Sequence, residues 1–288
     1  RFLLESSGMP SSRIPNTVTI AGVDPSGGAG VLADVKTMSA LGAYACGVIC
    51  ALTAQNTLGV TGIHPVPVAF VRQQIDTLFA DVKIDAAKIG MLGTAAVTEA
   101  VALSMQKWNP PHLVLDPVMV AKSGDALLTR DAVASLREAL LPLATILTPN
   151  LPEAGVLLGE RGPETLKEMV RAAEKLRRLL GDAGNRWVML KGGHLPGSDA
   201  IDLLHDGDKM IELPAKRIDT KNTHGTGCTL SSAIAALLPQ FADVPEAVRR
   251  AKFYLTEAIR RSGELNVGEG HGPVHHFHAQ WGKADRER

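Results

Sequence analysis

A glycine loop containing a cysteine lies at residues 223–229, which read Thr-His-Gly-Thr-Gly-Cys-Thr and are followed by the apolar run LSSAIAALL. Gly225 and Gly227 allow unusual backbone angles, and a helix is predicted to begin at residues 227–230. The free N–H groups and positive dipole end of a helix suit a phosphoryl group or an oxyanion. Cys228 in that first turn is open to four interpretations: core packing, a metal ligand, a nucleophile or a base. We expect the same field to favour its thiolate.

Oxygen ligands and a lysine occur at other predicted strand ends. Asp116 ends the run HLVLD, Asn150 and Glu153 lie in TPNLPEAG, and Lys191 lies in LKGGH. Mg²⁺ typically takes one or two carboxylates together with water and phosphate oxygens, and a lysine offsets phosphate charge. The alternative for Asn150 and Glu153 is a helix start, where Asn is a good cap and Glu is favoured. Taken together, these groups indicate phosphoryl transfer, whose loose transition state depends on positioning and charge neutralisation.

The loop GVDPSGGAG (22–30) is also rich in glycine, but it matches neither common nucleotide motif. Gly22 and Gly27 have the Walker A spacing, yet Gly28 and Ala29 replace the required Lys-Ser/Thr, and no G-x-G opens the turn. Two interpretations stay open: close approach of the backbone to a ligand, or a tight turn between a strand and a helix.

The segments that would position these groups alternate between short apolar runs and amphipathic helices. The predicted strands are TVTIAG (17–22), YACGVICAL (44–52), AAKIG (86–90), HLVLD (112–116), TILTPN (145–150) and WVMLKGG (187–193). The clearest helices are predicted at 165–180 and at 129–142, the latter opened by Thr129 and closed by Pro142. Apolar strands that alternate with helices predict one α/β domain with a mostly parallel sheet covered on both faces.

Each predicted strand ends in glycine or polar residues. These endings are Gly22-Val-Asp24, Gln55-Asn56, Gly90-Met91, Asp116, Asn150 and Lys191-Gly192-Gly193. In open α/β sheets ligands bind outside the carboxyl ends of the strands. The sequence therefore predicts that these endings form a single site.

The composition argues against several classes of protein. Lys+Arg and Asp+Glu both number 30 among 288 residues, which disfavours a nucleic-acid polyelectrolyte binder. No apolar run approaches the ~20 residues of a membrane span, and the first residues do not resemble a secretory signal. Three cysteines suit a reducing, cytoplasmic compartment, and Cys46 and Cys50 are expected to pack in a strand. No Met begins the chain, and two interpretations of residues 1–8 stay open: native sequence, or an added segment before a natural start at Met9.

Several motifs, in this order, resemble the hydroxymethylpyrimidine/phosphomethylpyrimidine kinases of the ribokinase-like superfamily, from about Thr17 to His278. They are TIAGVDPSGGAGVLADVKTMSALGAY, ALTAQNTLGV, KIGML, VLDPVMVAKSGDALL, LTPNLPEA, KGGH, TKNTHGTGCTLSSAIAA and GPVHHFH. The resemblance implies a three-layer α/β/α sandwich and a homodimer. It also implies a transferase of thiamine biosynthesis that uses ATP and Mg²⁺. Such enzymes phosphorylate 4-amino-5-hydroxymethyl-2-methylpyrimidine to its monophosphate and then to its diphosphate.

The resemblance also assigns roles to individual residues. The pyrimidine is expected against Gly22, Asp34, Gln55, Met91 and Val118. The amide of Gln55 can both donate to and accept from an aminopyrimidine edge. ATP and Mg²⁺ are expected near Asp116, Asn150 and Glu153, with Asp116 and Glu153 holding the metal directly or through water.

The catalytic residues implied by the resemblance are Lys191 and the loop Gly225-Thr226-Gly227-Cys228. Superfamily relatives with GAGD in this loop use the Asp as base, and Cys228 occupies that position here. Cys228 is therefore expected to accept the hydroxymethyl proton. A pyridoxal or pyridoxine kinase is the nearest alternative, and a pyrimidine-binding module without catalysis is the second.

The expected organisation is a single ribokinase-like domain over residues 16–280. Residues 1–15 are an N-terminal extension or an added segment, and residues 281–288 are a polar C-terminal tail. His275 and His278 are assigned to the family's ordinary C-terminal motif rather than to a metal site, because no partner cluster accompanies them.

Overall fold

The computed structural model describes residues 13–119, 129–182 and 184–281. Within them the strands are β1 Asn16–Val23, β2 Tyr44–Gln55, β3 Val60–Pro65, β4 Ala86–Ile89, β5 His112–Leu115, β6 Ile146–Leu147, β7 Trp187–Leu190, β8 Asp202–His205 and β9 Met210–Leu213. The α-helices are α1 Gly30–Ala40, α2 Val68–Asp81, α3 Ala95–Trp108, α4 Arg130–Ser135, α5 Leu151–Leu158, α6 Leu166–Leu179, α7 Thr226–Leu237 and α8 Val244–Arg260. Most of the predicted extension at 1–15, most of the tail at 281–288 and the motif segment 120–128 lie outside the described residues.

The strands of the described chain form one sheet in the order β3-β2-β1-β4-β5-β6-β7-β8-β9. Strands β2, β1, β4, β5, β6 and β7 pair in parallel, as the sequence predicts. The chain moves from β1 to β2 on one side and then crosses to β4 on the other side of β1. This reversal next to β1 opens a crevice at the carboxyl ends of the strands, where open α/β sheets bind ligands.

Two apolar layers cover the sheet and confirm the predicted sandwich. One core cluster packs helices α2, α3, α5 and α6 against the sheet, around residues such as Ile75, Val101 and Leu176. The other packs α1, α7 and α8 against the opposite face, around Met38, Ile234 and Val248. Helix α7, which carries the cysteine loop, is therefore fixed between the sheet, α1 and α8.

Three antiparallel strands at the sheet edges were not predicted. β3 pairs with β2 at one edge, and β8 and β9 extend the other edge beyond β7. The predicted helix 129–142 begins as expected, with Thr129 accepting a hydrogen bond from the Ala132 N–H. It then changes to a π-helical turn over Leu136–Leu140 and a 3₁₀ turn over Leu141–Leu143. Among the described residues, none of the helices has the length and apolar character needed to cross a membrane.

Candidate active site

A cavity of about 460 Å³ opens at the carboxyl edge of the parallel strands. Its wall contains one or more residues from each of the six predicted strand endings, namely Gly22, Val23 and Asp24, Gln55, Met91, Asp116, Asn150 and Lys191. The first turn of α7 closes the same cavity with Gly225, Thr226, Gly227 and Cys228. The sequence prediction that these endings converge on one site is therefore confirmed.

The cysteine loop owes its shape to two close approaches. Gly225 caps α7 with φ 75°, and a Cβ at this position would lie 1.7 Å from the Gly28 carbonyl oxygen. The two glycine loops thus touch backbone to backbone, which only glycine allows at residue 225. A Cβ at Gly227 would lie 3.4 Å from Lys191 Nζ, so the helix start lies directly beside the lysine ammonium. A phosphoryl group placed there would meet both the helix N–H groups and an ammonium.

A buried hydrogen bond between His224 and Asp24 joins the same two loops. His224 Nε2 lies 2.7 Å from Asp24 Oδ2, and both side chains are buried. Asp24 also accepts from the Ser26 hydroxyl and from the N–H groups of Ser26 and Ala29. Burial raises the pKa of Asp24, but the hydrogen bonds from His224 and Ser26 outweigh it and leave that pKa below its ordinary value. These hydrogen bonds hold the GVDPSGGAG loop against the cysteine loop, with the Asp24 carboxylate ionised.

Lys191, Asp116 and Glu153 form a charged cluster beside the first turn of α7. Lys191 Nζ lies 3.1 Å from Asp116 Oδ1 and 4.0 Å from Glu153 Oε2. Burial disfavours charge on each of them. The pKa of Lys191 is nevertheless raised by Asp116 and Glu153, and that of Asp116 is lowered by Lys191. Burial raises the pKa of Glu153 to about 7, with Asp116 contributing in the same direction.

Asn150 and Glu153 start a helix, which was one of the two interpretations made from the sequence. Asn150 Oδ1 accepts from the Glu153 N–H at 2.9 Å, and Glu153 Oε2 accepts from the Asn150 N–H at 2.7 Å. This reciprocal pair is a capping box at the start of α5. Both residues also line the cavity, so the cap presents a carboxylate to it.

The donor set fits a magnesium ion that takes most of its ligands from elsewhere. Asp116 accepts from Lys191, Thr148 and Ser231, so its oxygens are already oriented by hydrogen bonds. Glu153 is its acidic neighbour, and a carboxylate with a raised pKa gains from a nearby cation. Two carboxylates of this kind match Mg²⁺ held mainly by phosphate oxygens and water.

Gly22 and Met91 form an apolar part of the wall. The Gly22 N–H donates to the Met91 carbonyl at 3.1 Å, and a Cβ at Gly22 would lie 2.7 Å from the Met91 methyl carbon. Glycine at position 22 thus leaves the space that the Met91 side chain fills. Gln55 lines the wall nearby, where its Oε1 accepts from the Thr53 hydroxyl at 3.1 Å. A flat heteroaromatic ring would find an apolar surface and an amide edge here.

Comparison with known proteins identifies the family. The protein-family model described as phosphomethylpyrimidine kinase matches residues 24–275. The chain belongs to the phosphomethylpyrimidine kinase family. It is 50% identical over 266 residues to the hydroxymethylpyrimidine/phosphomethylpyrimidine kinase of Escherichia coli K12, covering 92% of this chain and 98% of that protein. The identity to the corresponding Bacillus subtilis kinase is 42% over 265 residues, covering 92% and 95%.

Solved structures agree with this assignment. The ADP complex of Bacillus subtilis pyridoxal kinase has a TM-score of 0.85 and 35% identity, covering 94% of this chain and 100% of that one. The phosphomethylpyrimidine kinase of Clostridium difficile 630 has a TM-score of 0.75 and 40% identity, covering 85% and 99%. The resemblance inferred from the sequence and the ribokinase-like α/β fold are thereby confirmed.

Within this phosphomethylpyrimidine kinase fold, every site residue predicted from the sequence lines the cavity except Asp34. Asp34 lies behind the wall on α1 and is fully buried. Its Oδ2 accepts from Thr19 Oγ1 at 2.6 Å and from Lys88 Nζ at 2.8 Å, and its Oδ1 accepts from Ser232 Oγ at 2.6 Å. The contact between Asp34 and the pyrimidine stays a prediction; in this structure both carboxylate oxygens accept hydrogen bonds from protein groups.

Cys228 also differs from the expectation that its helix terminus favours the thiolate. Burial raises the pKa of Cys228 to about 11, although Lys88 and a hydrogen bond from the Gly30 N–H act in the opposite direction. Desolvation thus outweighs the helix field, and the thiol is the resting form at neutral pH.

Two features of this phosphomethylpyrimidine kinase cavity were not predicted from the sequence. Lys88 lines the cavity, yet it lies within β4, where AAKIG had been interpreted only as an apolar strand. A lysine inside so short a buried strand was itself the available signal, because lysine is almost never fully buried unless paired. The Asp24–His224 pair carried no local signal, since its partners are 200 residues apart.

Proposed function

We propose that the chain transfers the γ-phosphoryl group of ATP to 4-amino-5-hydroxymethyl-2-methylpyrimidine and then to the resulting monophosphate, giving the diphosphate used in thiamine biosynthesis. The observation that carries this proposal is the shared cavity. The cavity is lined by a helix N-terminus with glycine loops, by Lys191 beside two carboxylates, and by Gly22, Met91 and Gln55. Such a cavity provides for an anion, its countercharge and a small polar ring together.

In this proposal the loop from Gly225 to Cys228 holds the transferring phosphoryl group through its backbone N–H groups. Lys191 lies beside Gly227 and offsets the charge that develops on the equatorial oxygens. Mg²⁺, when bound near Asp116 and Glu153, would neutralise nucleotide phosphate oxygens. The ring would lie on Met91 and Val118, with Gln55 reading the aminopyrimidine edge.

Cys228 is proposed to accept the proton of the hydroxymethyl group. The thiolate takes that proton as the substrate oxygen bonds to the γ-phosphorus and the bond to the β–γ bridging oxygen breaks, leaving ADP. In the second transfer the nucleophile is a phosphate oxygen, whose second pKa is about 6, so it is already ionised at neutral pH. The base is therefore needed for the first transfer and not for the second.

Phosphorylation of pyridoxal or pyridoxine is a second candidate activity. The TM-score of 0.85 to a pyridoxal kinase favours it, and that substrate also carries a hydroxymethyl group on an aromatic ring. The phosphomethylpyrimidine kinase family model and the 50% identity to a hydroxymethylpyrimidine/phosphomethylpyrimidine kinase favour the pyrimidine. We further propose that the protein is a homodimer and that it is located in the cytoplasm. Three free cysteines suit that reducing compartment.

The test is to incubate the protein with Mg-ATP and hydroxymethylpyrimidine, and in parallel with pyridoxal, and to follow the products by mass spectrometry. Sequential addition of two phosphates to the pyrimidine is the expected result. One phosphate on pyridoxal alone would assign the chain to the second activity. ATP binding without product from either substrate would refute the kinase proposal and favour a binding module.

A further inference from the structure

A buried ion pair lies directly behind the cysteine loop. Lys88 Nζ is 2.8 Å from Asp34 Oδ2, and neither side chain is exposed. Desolvating two charges often costs as much as their attraction returns, so a buried ion pair is weak evidence of a purely stabilising role. An apolar pair of similar volume would serve packing equally well.

The pair has a fixed direction with respect to the cavity. Lys88 lines the cavity wall and Asp34 does not. Asp34 is anchored from behind by the Thr19 and Ser232 hydroxyls, each at 2.6 Å. Gly90 leaves room for the ammonium, since a Cβ there would lie 2.8 Å from Lys88 Nζ. The positive end of the pair therefore faces the cavity, and its negative end is held away.

Cys228 lines the same cavity as Lys88, which acts on it electrostatically. Ser232 follows Cys228 by one turn of α7, so the two side chains lie on the same helix face, and Ser232 is bonded to Asp34. The Gly30 N–H, at the start of α1, donates to the cysteine sulfur.

Four charged groups act on Cys228 from the surrounding elements. They are Lys88 on β4, Lys191 after β7, Asp34 on α1 and Asp116 after β5. Each lysine is paired with one of the carboxylates, Lys88 with Asp34 and Lys191 with Asp116. Lys191 is also the countercharge for the transferring phosphoryl group, so Lys88 is the cation left to the sulfur.

We propose that Lys88 is a positioning residue that stabilises the Cys228 thiolate during the first phosphoryl transfer, and that Asp34 serves to fix Lys88 rather than to contact the pyrimidine. This rests on the proposed role of Cys228 as the base. The thiol first loses its proton to solvent, with Lys88 as counterion. The resulting thiolate then takes the hydroxymethyl proton as the new O–P bond forms. Lys88 stays protonated throughout and transfers nothing.

The test measures alkylation of Cys228 by iodoacetamide across pH 7 to 10 with peptide mass spectrometry, in the absence of ATP and pyrimidine. Only the thiolate reacts, so the profile reports its population. The Lys88→Met/Asp34→Asn variant removes both charges and avoids leaving one unpaired. We expect alkylation at a given pH to slow about threefold, or about half a unit in the pKa of the thiol, because losing Lys88 outweighs losing Asp34. Cys46, on β2 and away from the cavity, serves as the internal control and should keep its profile.

A matched variant separates electrostatics from loss of stability. Lys252→Met/Asp202→Asn removes another buried pair, with a 2.7 Å Nζ–Oδ2 contact, that does not line the cavity. It should leave the Cys228 profile unchanged. An unchanged profile in the Lys88/Asp34 variant, or an equal displacement in both double variants, would overturn the proposal.

A second variant covers the case in which the Lys88/Asp34 double variant does not fold. Gly90→Ala adds one methyl group against the ammonium, and it should move the alkylation profile to higher pH with the fold retained. No movement would overturn the proposal. Because alkylation needs neither substrate, failure of the proposed kinase activity would leave this readout intact. In an active enzyme, the Lys88/Asp34 variant should slow the first transfer more than the second.

Discussion

Replacement of Cys228 by alanine tests whether the thiolate is the base of the first transfer. With a pKa of about 11, roughly one thiol in a thousand is ionised at pH 8, and this fraction rises about tenfold for each pH unit. General-base catalysis contributes ~10²–10⁴-fold in rate. We therefore expect Cys228→Ala to lower kcat for the hydroxymethylpyrimidine by that factor. The loss for the monophosphate, already ionised above pH 6, should be less than about tenfold.

The assay follows ADP release with each substrate separately between pH 6.5 and 9.5. In the wild type the first transfer should accelerate with pH, because the raised pKa leaves the thiolate population still rising through this window. The second transfer should be nearly flat, and the alanine variant should be flat for both. Cys46→Ala is the control, since Cys46 does not line the cavity. Equal losses in both transfers with ATP binding intact, or a first transfer that does not depend on pH, would refute the base role.

Three further predictions concern the loop, the histidine tail and the metal site. Gly225→Ala should lower kcat at least 100-fold, because its Cβ would lie 1.7 Å from the Gly28 carbonyl oxygen and φ at this position is 75°. Gly263→Ala is the control: its Cβ would meet nothing within 4 Å, so kcat should be unchanged in the same assay. Burial lowers the pKa of His276 to about 3, so the unfolded chain binds that proton first and stability falls as pH drops below about 6.5. Urea unfolding should show about 2 kcal/mol lost at pH 5 relative to pH 7.5 from this group, and a His276→Gln variant with the same pH dependence would contradict it. Glu153→Gln keeps the capping-box acceptor but removes the negative charge. The Mg²⁺ concentration for half-maximal activity should therefore rise about tenfold. An unchanged Mg²⁺ titration would exclude Glu153 from the proposed metal site.

The central sheet and the site could be predicted from the sequence, because parallel strands are apolar throughout and their carboxyl ends lie at one edge of the sheet. TVTIAG, HLVLD and WVMLKGG matched β1, β5 and β7 closely, and their polar endings met in one cavity. The sheet edges were not accessible in the same way, because β3 carries mostly exposed residues and gives no continuous apolar run. The hairpin β8–β9 did leave a signal in its Asp206-Gly207 turn, where the glycine has φ 109°.

Electrostatics inside the site could be predicted only in part. Residue types and their spacing predicted that Cys228, Lys191 and Asp116 belong to the site. The direction of the pKa shift of Cys228, however, depends on how deeply the sulfur is buried. Likewise, Asp34 fits a ligand contact by its motif, whereas its hydrogen bonds to Thr19 and Ser232 come from distant parts of the chain. The pKa of a buried side chain and its hydrogen bonds to residues far along the chain therefore could not be predicted from the sequence.

The bond between Asp24 and His224 also has a consequence for how the enzyme is made. Its two ends are 200 residues apart, and the Asp34–Ser232 bond spans 198. At translation rates of roughly 5–20 residues per second, Asp24 leaves the ribosomal catalytic centre some 10–40 s before His224 is added. A nascent chain that ends before Thr223 contains Gly22, Gln55 and Met91 but lacks the cysteine loop. The growing polypeptide therefore stays incapable of phosphoryl transfer until the segment containing α7 has emerged and docked.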